Sequence, residues 1–375
     1  LSRAGLDIPR LRLHNLHIGR ASLESAAEVV DWLVAVQAQD YAGAKWALGL
    51  RMRAATDALV ERAFDEGAIL RTHVMRPTWH FVTPRDIRWL LALTAPRVHA
   101  RNAGMYRQLQ LGKATLERGS AAMARALQGG HALTREELRE VLERAGITTR
   151  PPLRLAYLVM YAELEGVICS GPRRGKQFSY ALLEERAPAA KSLGREEALA
   201  ELARRYFISR GPATVQDLAK WSGLTVAEAG QGLQAALGAR PAAPLLEREK
   251  MNGREYWFPP SQALDTPNTV GEGKPSGPTA YLVSIYDEYI SGYKDRSAIV
   301  EAGHGARLVA MGNALANVIL IDGHILGTWK RRLSRSSVTV EATSFVNPRI
   351  AQRKAVEAAA QAYGEFLERP VELAF

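Results

Sequence analysis

Apolar residues at Ala26, Val29, Val30, Leu33, Val34 and Val36 recur with the spacing of one helix face and predict a helix over residues 25–36. Gln37, Ala38 and Gln39 follow directly. Side chains two apart on a helix are rotated by about 200°, whereas on an extended segment they share a face. If both amides serve one site, the helix should therefore loosen at Gln37. Helical spacing over residues 44–51 and 56–65 leads into strand-like runs at 69–75 and 78–83, separated by Arg76-Pro77. Helices closed by a hairpin follow the order of a winged helix.

That order recurs twice. Pro84 opens a helix through Trp89, Leu90, Leu91 and Leu93 that is expected to reach Pro96, with a second basic helical stretch beyond it. Thr134 and Glu137 form a capping box before a helix over 135–145. Residues 153–163 continue the helical period, and strand-like runs at 167–170 and 177–180 flank a basic turn. After a linker around 187–194, a helix over 196–210 stops at Gly211-Pro212, and Thr214 caps a short helix ending near Trp221. Thr225 with Glu228 is another capping box, and residues 245–250 and 254–258 form a hairpin across Asn252-Gly253. Residues 259–278 read as a linker. Strand-like runs at 280–285, 317–321, 325–332 and 337–345 then precede a helix over 348–368. The expected fold class is α+β, mostly helical: three tandem winged-helix units and a small C-terminal β-rich domain. The expected divisions are 1–86, 87–186 and 187–262, a linker at 263–278, and 279–375.

Composition narrows the function. Hydrophobic residues at 47% and charged residues at 23% of the 375 positions are ordinary for a soluble globular protein. Cys169 is the only cysteine, which excludes an intrachain disulfide and any Cys-rich zinc or iron-sulfur site. No apolar run approaches about 18 residues, and Arg3, Asp7 and Arg10 stand where a signal core would lie, so a cytoplasmic protein without a membrane partner is expected. His14, His17, His73 and His80 lack metal-ligand spacing, and no phosphate-cradling or dinucleotide fingerprint is present; neither metal nor cofactor is expected. The net charge of +10 and pI near 9.8 suit a polyanionic partner. Three acid-free windows carry much of it: Arg88, Arg97, Arg101, Arg107 and Lys113; Arg173, Arg174 and Lys176; and Lys330, Arg331, Arg332 and Arg335. The last two sets, beside hairpins, are the candidate DNA-binding residues.

Gln37-Ala38-Gln39 followed by Asp40, with Trp46 and Leu48 downstream, resembles the motif of the AlkZ-like bacterial DNA glycosylases. Leu70-Arg71-Thr72-His73 with Arg76-Pro77-Thr78-Trp79-His80-Phe81 is similar to the same family. So are Tyr286-Asp287-Glu288-Tyr289 with Tyr293-Lys294-Asp295-Arg296, and Asp322-Gly323 with Gly327-Thr328-Trp329. These blocks span nearly the whole chain, and Gln39 at the third motif position places it with the Gln-x-Gln members. The resemblance implies tandem winged helices curved around duplex DNA, with Gln37 and Gln39 as the catalytic pair. It also implies a hairpin-bearing C-terminal portion that approaches the DNA. For Gln-x-Gln members it further implies unhooking of interstrand crosslinks left by a DNA-alkylating natural product, as self-resistance.

Glutamine suits that chemistry. A purine alkylated at N7 is positively charged and departs readily, so the site must place a water and stabilise an oxocarbenium-like sugar. An amide offers both a carbonyl acceptor and an NH2 donor without a charge to desolvate. Asp40 and Asp287 are accessory candidates. For Asp40 the competing reading is a turn residue bonding its own backbone. Asp287 and Glu288 form a second acidic pair, against which Asp295-Arg296 in the same block suggests structural salt bridging. Trp79 and Trp329 read as core. A bulky or crosslinked base cannot be swung into a snug pocket, so attack without full extrusion is expected. The function expected is a monofunctional DNA glycosylase acting as a monomer on N7-alkylated purines in duplex DNA. The alternatives are a non-catalytic winged-helix regulator and a glycosylase restricted to small adducts.

Overall fold

A computed structural model describes residues 6–188, 191–238, 245–260, 277–300 and 316–375. Asp7 caps helix α1 (Ile8–Asn15), and Ser25 caps α2 (Ala26–Leu33) by accepting from the Glu28 amide at 3.2 Å. The helix ends earlier than its apolar spacing predicts. Val34 takes φ 65°, and the chain turns into a short strand, β1 (Ala35–Gln37). Val36 is β-branched and buried, which suits a strand enclosed by core on its faces as well as a helix.

Helices α3 (Tyr41–Gly49) and α4 (Asp57–Asp65) follow, then the hairpin β2 (Leu70–His73) and β3 (Trp79–Val82). The sheet order is β1-β3-β2, antiparallel throughout, with Gln37 opposite His80 and His80 opposite Thr72.

Helix α5 (Ile87–Gln108) runs unbroken through Pro96, where a break had been expected. An interior proline costs about 3 kcal/mol. Burial of Trp89, Leu90, Leu91 and Leu93 before it and of Val98 and Asn102 after it keeps the helix continuous. Helix α6 (Lys113–Leu127) leads to β4 (Leu133–Thr134), α7 (Arg135–Arg144), α8 (Pro152–Leu164), β5 (Ile168–Ser170) and β6 (Ser179–Leu182). The sheet order β4-β6-β5 repeats that of the first unit. The expected capping box between Thr134 and Glu137 is formed. A short helix, α9 (Leu183–Arg186), ends this part.

The third unit comprises α10 (Arg195–Arg210), α11 (Val215–Ser222), α12 (Val226–Gly238), β7 (Glu247–Met251) and β8 (Arg254–Phe258). Asn252 (φ 50°) and Gly253 (φ 75°) make the left-handed hairpin turn their sequence demands. Ala213 bridges Trp257, standing where β1 and β4 stand in the other units. Each unit thus inserts a strand or bridge between two helices: α2 and α3, α6 and α7, and α10 and α11. Two or three residues are too few to show alternation in the sequence.

The C-terminal sheet is ordered β13-β12-β11-β10-β9. It contains β9 (Ala280–Val283), β10 (Val318–Ile321), β11 (His324–Leu333), β12 (Val338–Ser344) and β13 (Val371–Ala374), with α13 (Glu288–Ser291) after β9 and α14 (Ile350–Phe366) before β13. Strand β13, parallel to β12, was not anticipated. Of the expected linkers, residues 189–190 and 261–276 lie outside the described residues. One core joins the first unit, the third unit, this sheet and, from the second unit, Trp89, Leu90, Cys169 and Leu183, while the rest of the second unit buries a further cluster around Met123, Leu138, Leu142 and Leu158. Among the described residues no helix is long and apolar enough to cross a membrane.

Candidate active site

Gln37 ends β1, and Gln39 lies at the bend that leads into α3. β1 is an edge strand, so the backbone of Val36 and Ala38 faces β3 while that of Ala35 and Gln37 faces away. On the inner side Ala38 N donates to Trp79 O at 2.8 Å, and Arg71 Nε donates to Ala38 O at 3.1 Å. On the outer side Gln37 N donates to Glu288 Oε1 and Arg210 Nη2 donates to Ala35 O, each at 3.1 Å. The motif's backbone is tied along both edges. The Gln37 residue is 8% exposed, whereas Gln39, at the bend after Ala38, is exposed.

The pairing register puts the side chains of Gln37, His80 and Thr72 on one face of the sheet. His80 Nδ1 lies 2.9 Å from Thr78 O, which can only accept, so Nδ1 carries the proton and Nε2 accepts from Arg76 at 3.3 Å. Burial, followed by the Arg76 charge, holds this imidazole neutral, well below the usual histidine range. Thr72 Oγ1 is buried with no hydrogen-bond partner among the described residues. On the opposite face Arg71 is stacked between Trp79 (4.3 Å) and Phe178 (4.5 Å), and burial lowers its pKa to about 10, leaving it charged at neutral pH. Trp79 is half-buried against Arg71 and the His73 ring; Trp329 is core, donating to Val283 O at 3.0 Å.

Behind β1 the Glu288 carboxylate is fully buried and accepts from Arg210 Nε (3.1 Å) and Nη2 (2.8 Å) and from Trp221 Nε1 (2.8 Å). Arg210 in turn stacks over Trp221 at 4.3 Å. Lys220 Nζ donates to Ser291 O at 2.7 Å; burial, then Arg76 and Arg296, lower its pKa to about 8.

The accessory candidates separate. Asp40 is half-exposed at the start of α3, makes no capping bond, and has Oδ1 3.8 Å from Arg331 Nη2. Asp287 is buried, with both oxygens on Arg51 at 2.8 Å, and also accepts from Tyr289 N at 2.8 Å. The Asp295 carboxylate pairs with Arg254, while Arg296 Nε donates to Ile290 O at 3.0 Å.

The basic candidates also differ in engagement. Arg173 stacks on Phe178 at 4.4 Å and lies 3.7 Å from Glu61; Arg174 donates to both Glu137 oxygens, at 2.8 and 2.6 Å; Lys176 is exposed. On β11 and its turn, Lys330 and Arg335 are exposed and Arg332 pairs with Glu341 at 2.7 Å. Arg331 donates to Tyr363 OH at 2.8 Å as well as facing Asp40. Of this second basic set the fold brings Arg331 to Asp40, the residue after the glutamines.

The sequence model of the DNA glycosylase AlkZ-like family matches residues 30–366, from the helix before the glutamines to the end of the last helix. The chain belongs to the AlkZ-like DNA glycosylase family. It is therefore a DNA glycosylase, with DNA as its substrate. It is 24% identical over 313 residues to an interstrand DNA cross-link repair glycosylase of Streptomyces sahachiroi, covering 82% of each chain. Its fold matches that of Streptomyces sahachiroi DNA glycosylase AlkZ with a TM-score of 0.76 at 21% identity, over 98% of each chain. In this AlkZ-like chain Arg71, Arg76, His80, Arg210 and Lys220 also stand around the motif, and a search for acid-free windows passes over them. Two signals marked some of them: Arg71, Arg76 and His80 lie in blocks that resemble the family, and Arg71 is a cation in a run otherwise patterned for burial.

Proposed function

We propose that this enzyme is a monofunctional glycosylase that hydrolyses the N-glycosidic bond of N7-alkylated purines in duplex DNA and leaves an abasic site. It acts as a monomer in the cytoplasm, on the nucleoid, without cofactor. The observation that carries the reading is the pair of uncharged amides, Gln37 and Gln39, on a segment whose backbone is bonded along both edges. A cationic purine needs little help to leave. Two carbonyl dipoles held in place favour the developing cationic sugar, and an amide can hold the attacking water.

Crosslink unhooking extends the same reaction to a purine tied to the opposite strand. It is supported by the likeness to the interstrand DNA cross-link repair glycosylase of Streptomyces sahachiroi and by the approach of Arg331, on the strand that leads to an exposed basic turn, to Asp40. A self-resistance role in a producer of a DNA-alkylating compound follows from that substrate.

The test uses duplex DNA carrying one 7-methylguanine, incubated with wild type, Gln37→Ala and Gln39→Ala, treated with alkali and resolved by gel. Alkali-dependent breaks from wild type, slowed about 100-fold or more by each substitution while binding persists, are expected. Cleavage unaffected by both substitutions would remove the amides from the mechanism. Binding without cleavage of either this duplex or a crosslinked one would remove the proposed substrates.

A further inference from the structure

The outer edge of β1 exposes backbone groups of Ala35 and Gln37 that no strand of its sheet reaches, among them Ala35 O and Gln37 N. Both are met by a single buried ion pair. Arg210 supplies the N–H that a neighbouring strand would offer to Ala35 O, and Glu288 supplies the oxygen that it would offer to Gln37 N, each at 3.1 Å. The two side chains join at 2.8 Å, and neither is exposed. Arg210 comes from the end of α10 in the third unit and Glu288 from α13 beside the C-terminal sheet.

We propose that Arg210 and Glu288 are positioning residues for the glycosylase reaction: together they act as a substitute strand that fixes the register of β1 and aims the Gln37 and Gln39 side chains. The inference rests on the reading of those glutamines as catalytic. Its physical basis is that a buried ion pair is a poor way to gain stability, because both ions must be stripped of water, yet it is rigid and directional. Here the directionality is spent on two backbone groups of the motif. Trp221 completes the arrangement by donating to the second Glu288 oxygen and lying flat under the guanidinium. Glu288→Gln could still accept from Gln37 N, but its NH2 would face the Arg210 and Trp221 donors and force the clamp apart.

The test compares wild type, Glu288→Gln, Arg210→Met, Arg210→Lys and, as a structural control, Asp217→Asn. Asp217 is equally buried and holds Thr214 N and Lys294 N at 2.9 and 2.7 Å without touching the motif. Single-turnover excision of 7-methylguanine, affinity for the same duplex and melting temperature are measured for each. Glu288→Gln and Arg210→Met should slow excision about 100-fold, the scale of a small misplacement of catalytic groups, with affinity changed less than about threefold. Arg210→Lys should recover part of the loss, and Asp217→Asn should keep the wild-type rate at temperatures where it is folded. Excision by Glu288→Gln at the wild-type rate, or loss no greater than that of Asp217→Asn at matched stability, would overturn the proposal. Hydrogen exchange over residues 35–37 reads the clamp without activity: Glu288→Gln should expose the Gln37 amide. A wild type inert on every lesion would therefore count against the proposed substrates, while unchanged exchange would count against the clamp.

Discussion

Arg331, on the strand that carries the basic turn, points its guanidinium at Asp40, the residue immediately after the two glutamines, with Nη2 3.8 Å from Oδ1. The turn-proximal end of β11 is thus tied to the motif through a loose, half-exposed pair. Such pairs contribute at most about 1 kcal/mol to stability.

Substituting the two residues separates anchoring from catalysis. Asp40→Asn should keep the excision rate within about tenfold of wild type, because no general base is needed for a cationic leaving group. A fall as deep as that of Gln37→Ala in the same assay would make Asp40 the base. Arg331→Ala, losing Tyr363 OH and Asp40 together, should weaken duplex binding about tenfold with little change in melting temperature.

Arg71 is expected to matter to stability as well as to the site. Its stack on Trp79 and Phe178 and its bond to Ala38 O are all desolvated. Arg71→Met should cost about 2 kcal/mol in urea unfolding, and Arg71→Lys should recover little of it, since an ammonium cannot reproduce the planar stack. Full recovery by lysine would show that charge alone is used.

Stability should fall on mild acidification. His80 titrates near the ordinary histidine value of about 6.5 when unfolded but well below it when folded, so below that pH the unfolded chain takes up a proton that the folded one refuses. His80 contributes full stability above the unfolded pKa and loses about 1.4 kcal/mol per pH unit below it. His14 and His17, both lowered to about 4 chiefly by burial, act in the same direction. Urea midpoints at pH 7.5 and 5.5 should show the decline, and His80→Asn should flatten it by about one proton. An equal slope in the variant would mean that His80 is protonated in the fold.

Binding should leave the bases largely stacked. With 2-aminopurine beside the lesion, the enzyme is expected to raise fluorescence only weakly, because a bulky or crosslinked base has no room to be carried out of the helix. A large rise on binding would mean that the nucleotide is extruded.

Much of the fold could be read from local chemistry. Thr134 with Glu137 and Asn252-Gly253 each satisfy nearby backbone demands, so their sequence neighbours suffice to identify them. The end of α2 was not legible in this way, because Val36 is buried in either conformation and only pairing with β3 selects the strand. Pro96 within α5 is the same lesson reversed: burial on both sides overrides a local breaker. In the candidate site, Gln37 and Gln39 were found by their spacing and their likeness to a family motif. Arg210 and Glu288 were not found as partners of that motif, since 175 and 251 residues separate them from the backbone groups they meet.

That last separation gives the site a history during synthesis. Gln37 leaves the ribosome 251 residues before the carboxylate that accepts from its amide. At about 5–20 residues per second the interval is on the order of tens of seconds. Through that time the glutamines exist on a nascent chain whose outer strand edge is uncovered. The candidate site is therefore among the last parts of the molecule to be completed, and a half-made chain carries the motif without the two side chains that bond its outer edge.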